Sequence, residues 1–192
     1  MSMLIDSYSE SNATNGYILT DSPYIEMIGQ SFRLDKSYKL TSVKFYLENW
    51  NGATGNAEAR LYAHTGTFGN YGKPTGSVLA TSDVVDISTI SEGGLVLTEL
   101  SFSGANQYIM EDGDYCIGVF YSSGTYNADV NLADGLVVAV DTTGEHEGNT
   151  FYFDEGFVGY AVYDTCFYLY GELQNPTAQG ISSIQGVSSV TL

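Results

Sequence analysis

Positive charge is scarce in this chain: 6 Lys and Arg stand against 23 Asp and Glu in 192 residues, for a formal net charge of -17 at pH 7. So few cations cannot neutralise a row of phosphates, and a field of that sign repels nucleic acid and anionic headgroups. Neither nucleic acid nor a membrane surface is an expected partner. Long apolar runs are missing as well. No stretch of about 18 apolar residues occurs, and Met1 to Glu10 has neither the basic start nor the apolar run of a secretory signal. The expectation is a protein made in the cytoplasm and not secreted. Histidine and cysteine are also rare, with His64 and His146, Cys116 and Cys166 as the complete set. Each Cys lies in an apolar and aromatic run, where it packs as a small hydrophobe, a disulfide being the less favoured alternative.

What the chain does have is turn and strand formers: 43% hydrophobic residues, 15% charged, 22 Gly and 16 Tyr. This composition favours β structure. Thr41 to Glu48 alternates strictly, with Val43, Phe45 and Leu47 on one face. Ala57 to His64 repeats the device, with Ala57, Ala59, Leu61 and Ala63 opposite Glu58, Arg60, Tyr62 and His64. A loop of Gly and aromatics is expected over 65–76. Strand-like runs follow at 77–85, 95–102, 115–121, 136–140, 150–153 and 160–173, separated by Gly- and Asp-rich turns. No window carries a helical apolar period behind a capping box. The expected architecture is all-β, an antiparallel jelly-roll β-sandwich of roughly eight to ten strands with an extended C-terminal arm.

The boundaries follow from composition. Residues 1–15 read as an N-terminal arm or frayed end, 16–173 as the sandwich, 174–180 as a linker and 181–192 as an arm. In that last segment Ile181, Ile184, Val187 and Val190 recur at every third position, ahead of Leu192. A period of three is neither that of a strand nor that of an α-helix, and its apolar groups gain by burial on a partner.

Catalytic chemistry finds little support. A Ser-His-Asp or Cys-His arrangement would have to use His64 or His146, and no Gly-x-Ser-x-Gly turn accompanies either. The chain is expected not to be an enzyme. The tripeptide Glu145-His146-Glu147 alternates direction and lacks the further N or S ligand that zinc needs. No cofactor is expected, calcium being the candidate metal: Glu111, Asp112 and Asp114, and separately Asp129 and Asp134, offer hard oxygen ligands, with Glu145 and Glu147 in reserve. For Glu111 to Asp114 a solvated turn ahead of the strand 115–121 is the favoured reading. Trp50, Tyr62, Phe68 and Tyr71 lie in or beside loops and form a candidate platform for stacking on a sugar ring.

The succession Gly29-Gln30-Ser31-Phe32, 40–47, 55–63, Pro74-Thr75-Gly76, Leu79-Ala80-Thr81-Ser82, Phe102-Ser103-Gly104, Asp112-Gly113-Asp114-Tyr115 and Phe167-Tyr168-Leu169-Tyr170-Gly171 resembles the jelly-roll modules of tailed-phage structural proteins. Related modules occur in bacterial surface proteins. The resemblance spans about Ser7 to Leu173, and its motifs are structural punctuation. It implies a non-enzymatic virion protein, a decoration or cement protein on a capsid. Such a protein clamps the major capsid protein or another virion protein through its termini and is repeated as a homo-oligomer on the particle. The alternative it leaves is a carbohydrate-binding module of a tail or adhesion device.

Overall fold

The computed structural model describes residues 1–20, 24–127 and 132–174. Its strands are β1 (Met3–Tyr8), β2 (Asn15–Leu19), β3 (Met27–Leu34), β4 (Tyr38–Trp50), β5 (Asn56–Thr67), β6 (Asn70–Thr81), β7 (Val85–Asp86) and β8 (Val96–Ser101). They continue with β9 (Ile109–Met110), β10 (Gly113–Phe120), β11 (Thr125–Asn127), β12 (Leu132–Asp141), β13 (Thr150–Phe153), β14 (Phe157–Tyr160), β15 (Asp164–Thr165) and β16 (Phe167–Leu173). Nine strands form the first sheet in the order β1-β16-β4-β12-β11, with β2 and β15 against β12 and with β8 and β9 against β4. Seven form the second in the order β14-β13-β3-β10-β5-β6, with β7 beside β5. Every ladder between these strands is antiparallel. The fold is an all-β sandwich. Among the described residues no helix is long and apolar enough to cross a membrane.

The alternating runs build the main core. Val43, Phe45 and Leu47 of β4 are fully buried against the second sheet, whose inner face presents Ala59 and Leu61 of β5 and Ile117 and Val119 of β10. The small Ala57 and Ala59 side chains leave room for the rings of Phe32, Phe102, Tyr121 and Phe167 in the same cluster. Cys166 lies in this core as a free thiol, and Cys116 is likewise free and buried.

The second sheet is apolar on both faces. Along β10, Ile117 and Val119 enter the main core, while Cys116 joins Met27, Tyr62 and Phe151 in a second cluster onto which Phe120, Phe153 and Phe157 pack. Two glycines make that second cluster fit. Gly118 lies opposite Gly29 across the β3–β10 ladder. A Cβ on Gly118 would stand 2.8 Å from Met27 Cε and 3.0 Å from Phe151 Cζ. One on Gly29 would stand 2.1 Å from the Ile117 carbonyl oxygen. The sheet also rolls until its two ends touch. Gly159 of β14 comes so close to β6 that a Cβ there would lie 2.5 Å from Gly72 O.

Three expectations differ from this structure. The N-terminal residues, read as an arm or frayed end, include β1, which pairs with β16 and carries Tyr8 into the main core. A six-residue strand with one strong apolar anchor is too short to announce itself by periodicity. The expected Gly and aromatic loop over 65–76 is the far half of the β5–β6 hairpin, with strand residues on both sides of Phe68-Gly69. The run 160–173 is broken into the end of β14, β15 and β16. Residues 175–192, with the docking candidates Ile181, Ile184, Val187, Val190 and Leu192, lie outside the described residues, as does Asp129.

Because the backbone at Gly29 has no space for a Cβ, Gly29→Ala is expected to lower the unfolding free energy by more than ~2 kcal/mol. Gly94→Ala, where a Cβ meets nothing within 4 Å, is the control and should change it by less than about 0.5 kcal/mol. Urea unfolding of the two variants measures the contrast.

Candidate functional site

Two places concentrate side-chain chemistry, and the first is a buried polar seam that joins the sheets. Gln30 of β3 is fully buried. Its Oε1 accepts the Thr165 backbone N–H at 2.8 Å, which fixes the amide's orientation. Its Nε2 therefore donates to Asp164 Oδ1 at 2.8 Å and to His146 Nδ1 at 3.1 Å. The Gly148 N–H also donates to Nδ1, at 3.0 Å, so the ring proton sits on Nε2, which faces Asp6 Oδ1 at 3.3 Å. Burial raises the Asp164 carboxyl above the usual carboxylate range, opposed by the His146 N–H and the Gln30 amide. Nearby, Asn149 imitates a strand partner, donating to Gly72 O at 2.8 Å and accepting from Gly72 N–H at 3.1 Å. These contacts pair most of the polar groups with one another, Asp6 Oδ2 remaining buried without a hydrogen-bond partner, and the bonds the His146 ring makes go to amides and a carboxylate.

A carboxylate at the same edge is held by hydroxyls. Asp141, 2% exposed, accepts from Tyr8 at 2.5 Å, from Thr14 at 3.2 Å and from Thr143. Burial opposes its ionisation, but the hydroxyls of Thr143, Tyr8 and Thr14 outweigh that and hold the carboxyl below its ordinary value. Burial, with the bond to Asp141, pushes the Tyr8 phenol up.

The second place is a groove of about 420 Å³ at the mouth of the second hydrophobic cluster. Tyr62, Phe120, Phe153, Phe157 and Val78 line it, with Arg60 at its side. The Arg60 guanidinium lies 3.4 Å from the centre of the Phe120 ring and 2.6 Å from Glu58, so its charge is matched where it stands. The ring edges of Phe157 meet Tyr62 at 5.2 Å and Phe153 at 5.0 Å between centroids. The size and lining fit a small ligand or a few side chains of a partner.

The four aromatic platform candidates are dispersed. Tyr62 is 6% exposed and lines the groove. Trp50, 42% exposed, ends β4 beside the start of β5. Phe68 and Tyr71 lie at the far end of β5, about 40 Å away along the strand. There Arg33 stacks 4.2 Å from the Phe68 centroid and His64 packs against the ring edge. Tyr71 is 64% exposed. No single platform uses all of them.

Among the described residues the acidic candidates do not assemble into a ligand set. Arg33 grips both oxygens of Asp114, at 2.6 and 3.0 Å, and that bonding lowers the Asp114 pKa. Glu111 accepts from Ser37 at 2.5 Å, and Asp112 is exposed. Glu145 and Glu147 point to solvent on either side of the inward His146, and Asp134 lies in β12. Among the described residues no group of three or more His, Cys, Asp or Glu is placed to hold one metal ion. His64, expected on an outward strand face, is half-buried, and burial lowers its pKa. Burial pushes the Cys166 thiol up to about 12.

Gln30, Asp141, Asn149 and Asp164 did not stand out in the sequence, since each lies in a short polar break whose partners are distant along the chain. Phe120 and Phe153 were visible only as strand aromatics, and Phe157 fell between two expected strands. No protein-family model, curated protein or solved structure matches this chain.

Because the folded-state pKa of Asp141 is depressed, its stabilisation is complete above the unfolded value near 3.9 and is lost as the pH falls through the folded one. Tyr8→Phe is expected to lower the unfolding free energy at pH 7 by about 1.5 to 3 kcal/mol. The difference should shrink at pH values below the folded-state pKa, where Asp141 is protonated, in urea titrations at both ends of the range.

Proposed function

We propose that this chain is a non-enzymatic structural protein of a virus particle, a decoration or cement protein of a tailed-phage capsid that attaches through its terminal segments. The observation that carries this reading is the pairing of the first strand with the last. β1 runs antiparallel to β16, and the Met1 amino group lies 3.1 Å from Glu172, so the two ends of the described chain leave the sandwich side by side. The segment that follows Gln174 starts at that corner beside β1, so a partner it engages meets that corner of the sandwich. The charge of -17 suits a module that must stay soluble and separate until its termini engage. Each β-branched side chain of 181–192 that is buried on a partner contributes about 1.5 to 3 kcal/mol before ordering costs.

A second reading, a carbohydrate-binding module, is favoured by one observation: Tyr62 lines the aromatic groove with Arg60 beside it. A glycan array on folded protein separates the two.

Full-length protein and a version ending at Gly180, each mixed with particles that lack it, test the first reading by cryo-electron microscopy. The full chain should add regular density and the truncated chain, still folded, should add none. Truncated protein that decorates the particles as well as the full chain does would contradict it.

A further inference from the structure

We propose that His146 is a proton-operated switch at the joint between the sheets: neutral, its ring is held by Gln30 of the second sheet, and charged, it is held between Asp6 and Asp164 of the first while Gln30 is released. The geometry fixes the neutral state. Nδ1 accepts from the Gly148 backbone N–H at 3.0 Å and from Gln30 Nε2 at 3.1 Å, so it carries no proton. Gln30 cannot turn its oxygen toward the ring, because Oε1 already accepts the Thr165 backbone N–H at 2.8 Å and the Thr150 hydroxyl at 3.2 Å. The backbone at Gly148 lies hard against β3, where a Cβ would stand 1.9 Å from Ser31 O. A second proton on the ring has only Nδ1 to go to, and there it meets two N–H donors. Both must let go for the ring to be charged.

Acceptors for the charged ring stand ready on the first sheet. Nε2 already faces Asp6 Oδ1 at 3.3 Å, and Asp6 Oδ2 is buried with no hydrogen-bond partner. Asp164 Oδ1 takes its bond, at 2.8 Å, from the same Gln30 nitrogen that serves Nδ1, so withdrawing that one amide leaves ring and carboxylate facing each other. Asp164 Oδ2 accepts the His146 backbone N–H at 2.8 Å, which keeps the two in register. Around them lie Glu147 of the same loop and the rings of Tyr8 and Phe167, with centroids 5.9 and 5.6 Å away. Beyond Tyr8 is Asp141, which its hydroxyl bonds. None of these groups is a cation. Burial opposes charging of the ring, but the bond to Asp6 and the charges of Asp6, Asp164 and Glu147 outweigh it and hold the imidazole pKa above its ordinary value. The ring is therefore charged below about pH 6.5 and neutral above the folded-state value. Gly148 precedes Asn149, whose side chain ties Gly72, so the amide that lets go is next to the tie that closes the second cluster.

The test is an NMR titration of the full-length protein between about pH 9 and about pH 5.5, a range that brackets the ordinary imidazole pKa, read at the ring nitrogens. His146→Asn, whose spectrum lacks the ring, tells His146 from His64. At high pH Nδ1 of His146 should show the shift of a bare ring nitrogen, with the proton on Nε2. As the ring charges, at a midpoint above 6.5, the Gly148 backbone amide and the Gln30 side-chain amide should move along the same curve. In His146→Asn, verified as folded by circular dichroism, those two signals should stay still over that range. Asp6→Asn, at a partly buried position, should weaken proton binding by the ring at least tenfold. A ring that stays neutral to the lowest pH, a proton already on Nδ1 at the highest, or Gly148 and Gln30 signals that do not follow the ring would each overturn the proposal. So would signals that move equally in His146→Asn, or a midpoint unchanged in Asp6→Asn. Should either variant fail to fold, the titration of the unaltered protein decides alone.

Discussion

The structure depends on one constraint: the second sheet carries apolar side chains on both faces, so closing the sandwich buries only half of them. Met27, Cys116, Tyr62 and Phe151 need a second cover. The chain supplies it from itself, by rolling β13 and β14 over until β14 meets β6. That roll needs backbones to touch where a Cβ would block them, hence glycine at Gly29, Gly118 and Gly159. It also needs a tie, and Asn149 provides one by bonding both polar groups of Gly72. The groove is the unfilled mouth of this second cluster, so its existence follows from the same constraint.

The polar seam around Gln30 belongs to the same economy. Rolling one sheet leaves an edge at which strands of both sheets end, and their backbone groups would be stranded there. Gln30, Thr150, Thr165 and Asp164 bond one another across that edge, and Thr165 also donates to Gly29 O at 3.0 Å. Asp6, His146 and Asp164 lie together there, joined by the ring and the backbone N–H of His146. Each ring nitrogen of the histidine is already committed, and the groups facing it are amides and carboxylates. A cluster of titratable residues here is a joint between layers.

Legibility in the sequence followed the physics of each element. The inner faces of β4 and β5 were readable, since Val43, Phe45, Leu47, Ala57, Ala59 and Leu61 obey a period of two and are all buried. The limits of β13 were readable at both ends because Gly and Asp turns bound it. β3 was not, for its residues are buried on both faces and give no alternation. The hairpin tip at Phe68 and Tyr71 passed for a loop because glycines dominate it. The aromatic platform could not be read, because a residue's place beside a loop says nothing of which end of the sandwich that loop occupies. Tyr62, expected on an outward face, does face away from the main core, but the rolled hairpin covers it. At the calcium candidates Glu111, Asp112 and Asp114 the feature invisible in spacing is Arg33, on the neighbouring strand, which takes both Asp114 oxygens.

That the chain itself covers the second cluster, with Asn149 tying the rolled strands to Gly72, is tested most directly by hydrogen exchange in the wild type and in Asn149→Ala. In the wild type the amides of Gly72 and of β14 are predicted to be protected, and in the variant to exchange at least tenfold faster while those of β4 keep their protection. Equal protection of these amides in both proteins would contradict it.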